Sequence, residues 1–200
     1  MKTDIEQAAQ LFAERGVART TIAQIARASH LTERTVLSYY DSRSELNRAV
    51  MEHILDDAMG RLEERLDSRE FSQKNGFDQY IDILRCILNE ARENYKGINS
   101  LAEIEMLLLR GGVPESAASE AASEIISGYL EKAYRKGEKD GSISAHIEIP
   151  SGFFLSLVLS LLGMQRQLSF VMQNGTLDEI STVEKLIENY ILVYKRTLSS

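Results

Sequence analysis

Residues that stop helices or staple small folds are scarce. Pro114 and Pro150 are the only prolines in 200 residues, which leaves most of the chain open to long helices. The single cysteine, Cys86, excludes an intrachain disulfide framework and a cysteine-rich zinc site, and it points to a reducing cytoplasm. Placed among Ile81, Leu84, Ile87 and Leu88, it reads as a small buried filler. The opening MKTDIEQAAQLF has no apolar h-region and no small-residue cleavage site, so no signal peptide is expected. Enzyme signatures are missing as well. There is no GxSxG, HExxH, GxGxxG or GxxxxGK(S/T), and His30, His53 and His146 are scattered. No catalytic residues, no bound metal and no cofactor are expected.

Long apolar runs are also rare. Residues 149–165, IPSGFFLSLVLSLLGMQ, carry no charge, but they fall short of the roughly 18 residues of a membrane span and contain a proline, two glycines and three serines. A helix buried within protein, with no membrane contact, is the expectation.

The composition is that of an ordinary globular protein, 44% apolar and 26% charged. The net charge of −7 is unevenly placed. Up to residue 53 seven bases balance seven acids, so the whole excess of acid falls on the remainder. Between residues 15 and 48 six arginines stand against Glu33, Asp41 and Glu45. Arginine is the better residue for bidentate contacts to phosphate and guanine, although such a cluster also suits a solvated surface.

Hydrophobic spacing divides the chain into about nine helices, an all-α fold. Ile5, Ala8, Ala9 and Phe12 mark a helix over 4–15, stopped by Gly16. Thr20 or Thr21 caps a second helix through Ala28, and Thr32 caps a third through about Tyr39. Ser42 and Glu45 form a capping box for a long helix with Leu46, Val50, Ile54, Ala58, Leu62 and Leu66 on one stripe. Residues 67–76 read as a polar loop, and further helices are expected at about 77–94, 97–110, 115–139, 151–173 and 177–198. Residues 142–149 alternate like a strand, but with no second strand to pair they are expected as an extended loop.

The second and third helices are short, joined by about three residues, and packed through Ile22, Ile25, Ala26, Leu31 and Val36. That is a helix-turn-helix, whose second helix presents side chains to base edges in the major groove. His30 stands at the turn position that usually needs glycine, and histidine is among the better substitutes there.

Residues 5–50 resemble the TetR family of one-component repressors. Ala9, Phe12, Gly16, Thr21, Ile25, Ala26, Thr35, Tyr39, Tyr40, Ser42 and Leu46 carry the likeness. Departures are His30 for the turn glycine, Arg34 for a recognition-helix glycine, Leu37 for a tyrosine that often touches DNA, and Arg43 for a lysine that meets phosphate. The resemblance implies a DNA-binding domain over 1–48 and an effector-binding, dimerising domain over 49–200. It implies a repressor that binds double-stranded operator DNA as a homodimer and is released by a small molecule. By it, Thr21, Tyr39 and Arg43 meet phosphates, while Thr32, Glu33, Arg34, Thr35 and Ser38 lie along the groove. Arg34 is the candidate guanine reader, its alternative being a phosphate or solvent arginine; Glu33 accepts from a cytosine amine or stays solvated.

The segments 151–173 and 177–198 are the expected pairing surface, the latter through Ile180, Val183, Leu186, Ile187, Tyr190, Ile191, Tyr194 and Leu198. Effector contacts are expected from Tyr80, Leu84, Tyr95, Met106, Leu109, Tyr129 and Phe154, with Glu105 and Gln165 as polar anchors; each is equally suited to plain core. A helical protein-binding adaptor with a degenerate DNA head is the rival function, resting on His30 and Leu37.

Overall fold

The computed structural model describes residues 2–112, 117–144 and 149–198. Among the described residues there are ten helices and no strand: α1 (Lys2–Arg15), α2 (Ile22–Ala28), α3 (Glu33–Tyr39), α4 (Arg43–Leu66), α5 (Arg69–Gln73), α6 (Gly76–Glu93), α7 (Tyr95–Arg110), α8 (Ala117–Asp140), α9 (Phe153–Asn174) and α10 (Leu177–Leu198). The fold is all-α, as the periodicity predicts. The additional element is α5, inside the segment expected to be a loop. The Ser68 hydroxyl accepts from Phe71 N–H at 3.1 Å, and the half-buried Phe71 packs on the neighbouring core, so a cap and one apolar anchor suffice for a short helix. Half of the strand-like stretch 142–149, residues 145–148, lies outside the described residues.

Contacts divide the chain into two compact units. The first comprises Met1–Ala58 with Lys96–Glu120. Its core joins Ala8, Leu11 and Phe12 of α1, Ile25 and Ala26 of α2, Val36 of α3, Leu46, Val50 and Met51 of α4, and Leu101, Ile104 and Leu108 of α7. Gly16 ends α1 with φ 85°, and its N–H bonds Phe12 C=O at 2.8 Å. Thr21, and not Thr20, caps α2; Thr20 is buried, its hydroxyl donating to Gly16 C=O at 2.9 Å.

The second unit comprises Met59–Tyr95 with Ala121–Ser200. Its core is built on α6, which buries Tyr80, Ile83, Leu84, Ile87 and Leu88 against Leu130 and Tyr134 of α8, Val158 and Leu161 of α9, and Ile187 and Ile191 of α10. At the start of α6, a Cβ on Gly76 would lie 1.9 Å from the backbone nitrogen of Gly137, so two glycines let α6 and α8 touch backbone to backbone.

α9 departs from its expectation. By length and composition alone it is apolar enough to cross a membrane. Phe154, Leu157, Val158, Leu161 and Leu168 are buried, but Leu155, Leu159 and Phe170 are exposed on another face. A single chain therefore covers one side of this helix and leaves a second apolar side open.

Candidate nucleic-acid interface

The head of the first unit is set by its caps and its turn. Thr21 accepts from Gln24 N–H at 3.2 Å, and the Gln24 side chain accepts from Thr21 N–H at 2.8 Å, a complete capping box. At the far end Leu31 N–H bonds Ala26 C=O at 2.8 Å and His30 N–H bonds Arg27 C=O at 3.2 Å. This is a Schellman closure, and it puts His30 at φ 56°, the one non-glycine residue with positive φ among the described residues. Thr32 then caps α3, accepting from Thr35 N–H at 3.1 Å.

Val36 is buried and fixes which side of α3 faces in. The opposite side carries Arg34 and Ser38, flanked by Thr35 and Leu37. Glu33, Arg34, Leu37, Ser38 and Tyr39 are exposed, as are Thr21 and Thr32, while Thr35 is half-buried. The hydroxyls on this face are largely self-engaged. Thr32 and Thr35 share a bond of 2.8 Å, and Ser38 donates to Thr35 C=O at 2.7 Å. No ion pair is made by Glu33 or Arg34, nor by the exposed Arg19, Arg27 and Arg48, among the described residues. The head thus holds unneutralised arginines on an open surface. The resemblance gives Leu37 the place of a DNA-touching tyrosine without its hydroxyl; with Val36 turned inward, Leu37 stands 47% exposed on a short, otherwise polar face.

Tyr39 and Tyr40 divide as adjacent helix-end residues must. Tyr39 is exposed, whereas Tyr40 is buried and its hydroxyl donates to the buried Asp4 carboxylate at 3.2 Å. Burial, reinforced by the neighbouring Asp4 charge, pushes the Tyr40 phenol up to about 12. This bond ties the end of α3 to α1.

Arg43, expected at phosphate, is half-buried. Its Nη2 donates to Val17 C=O at 3.0 Å, and its guanidinium lies 5.0 Å from the Phe12 ring centroid. Burial lowers its pKa and the Glu103 charge opposes that shift, so both act on a cation drawn into the protein. Glu103, from α7, completes the arrangement. Its two carboxylate oxygens accept from Val17 N–H at 2.9 Å and Ala18 N–H at 2.8 Å. Two side chains, through three hydrogen bonds, thus hold the turn between α1 and α2.

The residues expected at an effector are not gathered in one place. Glu105, Met106 and Leu109 lie in the first unit, with Met106 51% and Leu109 57% exposed, because the buried side of α7 is Ile98, Leu101, Ile104 and Leu108. Tyr80, Leu84, Tyr95, Tyr129, Phe154 and Gln165 lie in the second. There Tyr80 and Phe154 flank Tyr134 edge-on, with centroids 6.2 and 5.6 Å away. Gln165 is buried and donates to Ile87 C=O at 2.6 Å. The Tyr134 hydroxyl is buried with no hydrogen-bond partner among the described residues. Tyr95 and Tyr129 are half-buried.

The second unit also has an open groove of about 620 Å³ beside α5 and α6, where Cys86 is found, half-buried and not fully so. Burial raises its thiol pKa, against the pull of the Arg65 guanidinium 3.8 Å away. The groove's cations are matched by acids: Arg61 with Glu90 at 2.9 Å, Arg65 with Glu93 at 3.1 Å and Lys74 with Asp82 at 2.6 Å. No cluster of three metal-ligating side chains occurs among the described residues.

Residues 5–50 match the family of bacterial regulatory proteins, tetR family. No curated protein matches the sequence. The fold is similar over its whole length to solved structures of low identity. A transcriptional regulator from Saccharomonospora viridis in complex with choline has a TM-score of 0.71 at 14% identity, covering 100% of this chain and 97% of that one. A tetR-family regulatory protein from Rhodococcus has a TM-score of 0.67 at 12% identity, covering 99% and 96%. A ketosteroid transcriptional regulator of Mycobacterium tuberculosis has 0.60 at 15% identity, covering 98% and 93%.

Proposed function

We propose that the chain, whose residues 5–50 match the tetR family of bacterial regulatory proteins, is a DNA-binding regulator of that family and not an enzyme: a cytoplasmic repressor which binds a palindromic operator as a homodimer and leaves it when a small molecule binds. Residues 1–48 read the DNA, and residues 49–200 hold the effector and pair the copies. The single observation that carries the DNA reading is the exposed side of α3, where Arg34 stands without an ion-pair partner among the described residues. Arg34 meets guanine, while Thr21, Tyr39 and the remaining fork of Arg43 meet phosphate. Thr32, Glu33, Thr35 and Ser38 border the groove.

Pairing is supported by the open sides of α9 and α10. Leu159 is 56% and Phe170 58% exposed, and Leu186 and Val193 are exposed on α10. Apolar side chains at that spacing on two long helices suit a four-helix interface with a symmetric copy, and not a lipid surface. Effector binding is supported by the Tyr134 hydroxyl, a buried donor without a partner among the described residues and set between two aromatic rings, since such a group is destabilising until something accepts its proton. Of the expected effector residues, Tyr80 and Phe154 flank the Tyr134 ring, while Leu84 and Gln165 are buried elsewhere in the same unit. Release follows if the ligand favours a state of the dimer that fits the operator less well.

A gel-shift titration of the full chain on the DNA upstream of its own gene, repeated at several salt concentrations, tests the reading. The expected result is tight binding that weakens by roughly a thousandfold or more between 50 and 200 mM salt for six or more phosphate contacts. Arg34→Ala should relax preference at one base pair of each half-site, with sedimentation giving a dimer. A solitary chain with no affinity for any upstream DNA would overturn the proposal in favour of the adaptor.

A further inference from the structure

We propose that Leu37 is a specificity-determining residue, reading the C5-methyl group of a thymine in each half-site. This rests on the DNA-binding reading of α3. An apolar side chain on a seven-residue helix is either packed in the core or left at the surface, where a partner that approaches the helix meets it. The core place on α3 belongs to Val36, fully buried, and Tyr40, buried at the helix end. Leu37 is a third of a turn away from Val36 and remains 47% exposed. It therefore sits on the flank of the outward face, one turn beyond Arg34 and beside Ser38.

The character of that face favours a methyl as its occupant. The Ser38, Thr35 and Thr32 hydroxyls already bond within the helix, leaving Arg34 as the strong polar reader and Leu37 as the only large apolar group beside it. In the major groove a thymine differs from a uracil by one outward methyl alone, and from a cytosine by that methyl together with its O4 acceptor; apolar side chains are what discriminate the methyl. Guanine and thymine edges within one helical turn of α3 are complementary to an arginine and a leucine that lie three residues apart. A residue without hydrogen-bonding capacity thus supplies sequence preference through apolar contact.

The test separates this claim from the function it rests on. Duplexes are first recovered from a random pool by the full wild-type chain. Each thymine is then replaced by deoxyuridine in both half-sites, which removes the methyl and leaves base pairing intact, and binding is followed by fluorescence anisotropy. The expected result is one symmetric position where deoxyuridine weakens wild-type binding by about fourfold per half-site, hence roughly fifteenfold for the dimer. Leu37→Ala, an exposed substitution that leaves the core untouched, should bind the thymine duplex about as weakly and no longer distinguish the two bases. If the wild type is indifferent to deoxyuridine at every position, or if Leu37→Ala keeps the full thymine preference, the inference is overturned while DNA binding stands. Recovery of no duplex at all would instead remove the DNA-binding reading, and this one with it.

Discussion

Exchanging Glu103 for glutamine alters one atom of α7, and the structure fixes what that atom does. Oε1 accepts from Ala18 N–H at 2.8 Å and Oε2 from Val17 N–H at 2.9 Å. An amide offers one acceptor and one donor in place of two acceptors. One backbone N–H must therefore lose its partner and face another donor. Val17 is fully buried, and hydrogen bonds to a charged group contribute about 1.5–3 kcal/mol, the Ala18 bond less because it is exposed. Glu103→Gln should cost about 2 kcal/mol and Glu103→Ala about 3 kcal/mol. For a chain of this size the glutamine variant should melt lower by roughly 4–8 °C. Thermal unfolding reads the total, and amide hydrogen exchange at Val17 and Ala18 reads the site. Arg43 should also feel the change, because the opposing charge that supports its buried cation is gone. Unchanged melting together with unchanged protection of the Val17 amide would refute the reasoning, since it would mean that the two bonds contribute nothing to the turn.

Three further outcomes are expected. His30→Gly should stabilise the protein by about 1 kcal/mol, seen in urea unfolding, because glycine adopts the observed φ of 56° without the Cβ strain; a loss of stability would contradict the assigned turn. Gly76→Ala should destabilise by more than about 3 kcal/mol or prevent folding, as its methyl would occupy space 1.9 Å from the Gly137 nitrogen, and a normally folding variant by circular dichroism would disprove that approach. Alkaline pH should weaken the head through Tyr40. Its phenol is raised from 10 to about 12, so between those values the folded form holds a proton that the unfolded chain has lost, and stability falls as pH rises through that window by on the order of 2–3 kcal/mol. Comparing wild type with Tyr40→Phe in urea at pH 9 and 11.5 isolates that slope, and equal slopes would count against it.

Local grammar carried much of the fold. Capping threonines, the glycine after Phe12 and the 3.6-residue spacing of Leu46 to Leu66 each act within a few residues, so they are readable from the chain alone. The same holds for the helix-turn-helix, whose turn, caps and arginines are contiguous in residues 15–48. The short α5 escaped because a five-residue helix has too little periodicity to announce itself, and its anchor, Phe71, gains meaning only from the core it meets. Arg43 shows the reverse case: its charge was legible, but its use of one nitrogen on Val17 depends on a loop 26 residues earlier.

What the sequence determined by itself was the all-α class, nearly every helix and the place of the helix-turn-helix, because these follow from interactions between near neighbours. Tertiary structure alone decided that Glu103, more than eighty residues downstream, holds the turn after α1. It also decided that Met106 and Leu109 face outward, that Leu37 is left uncovered on α3, and that Tyr134 has no acceptor among the described residues. Amphipathic spacing tells which residues share a side of a helix; which of two apolar sides is covered, and by what, depends on the surfaces that other parts of the chain bring to it.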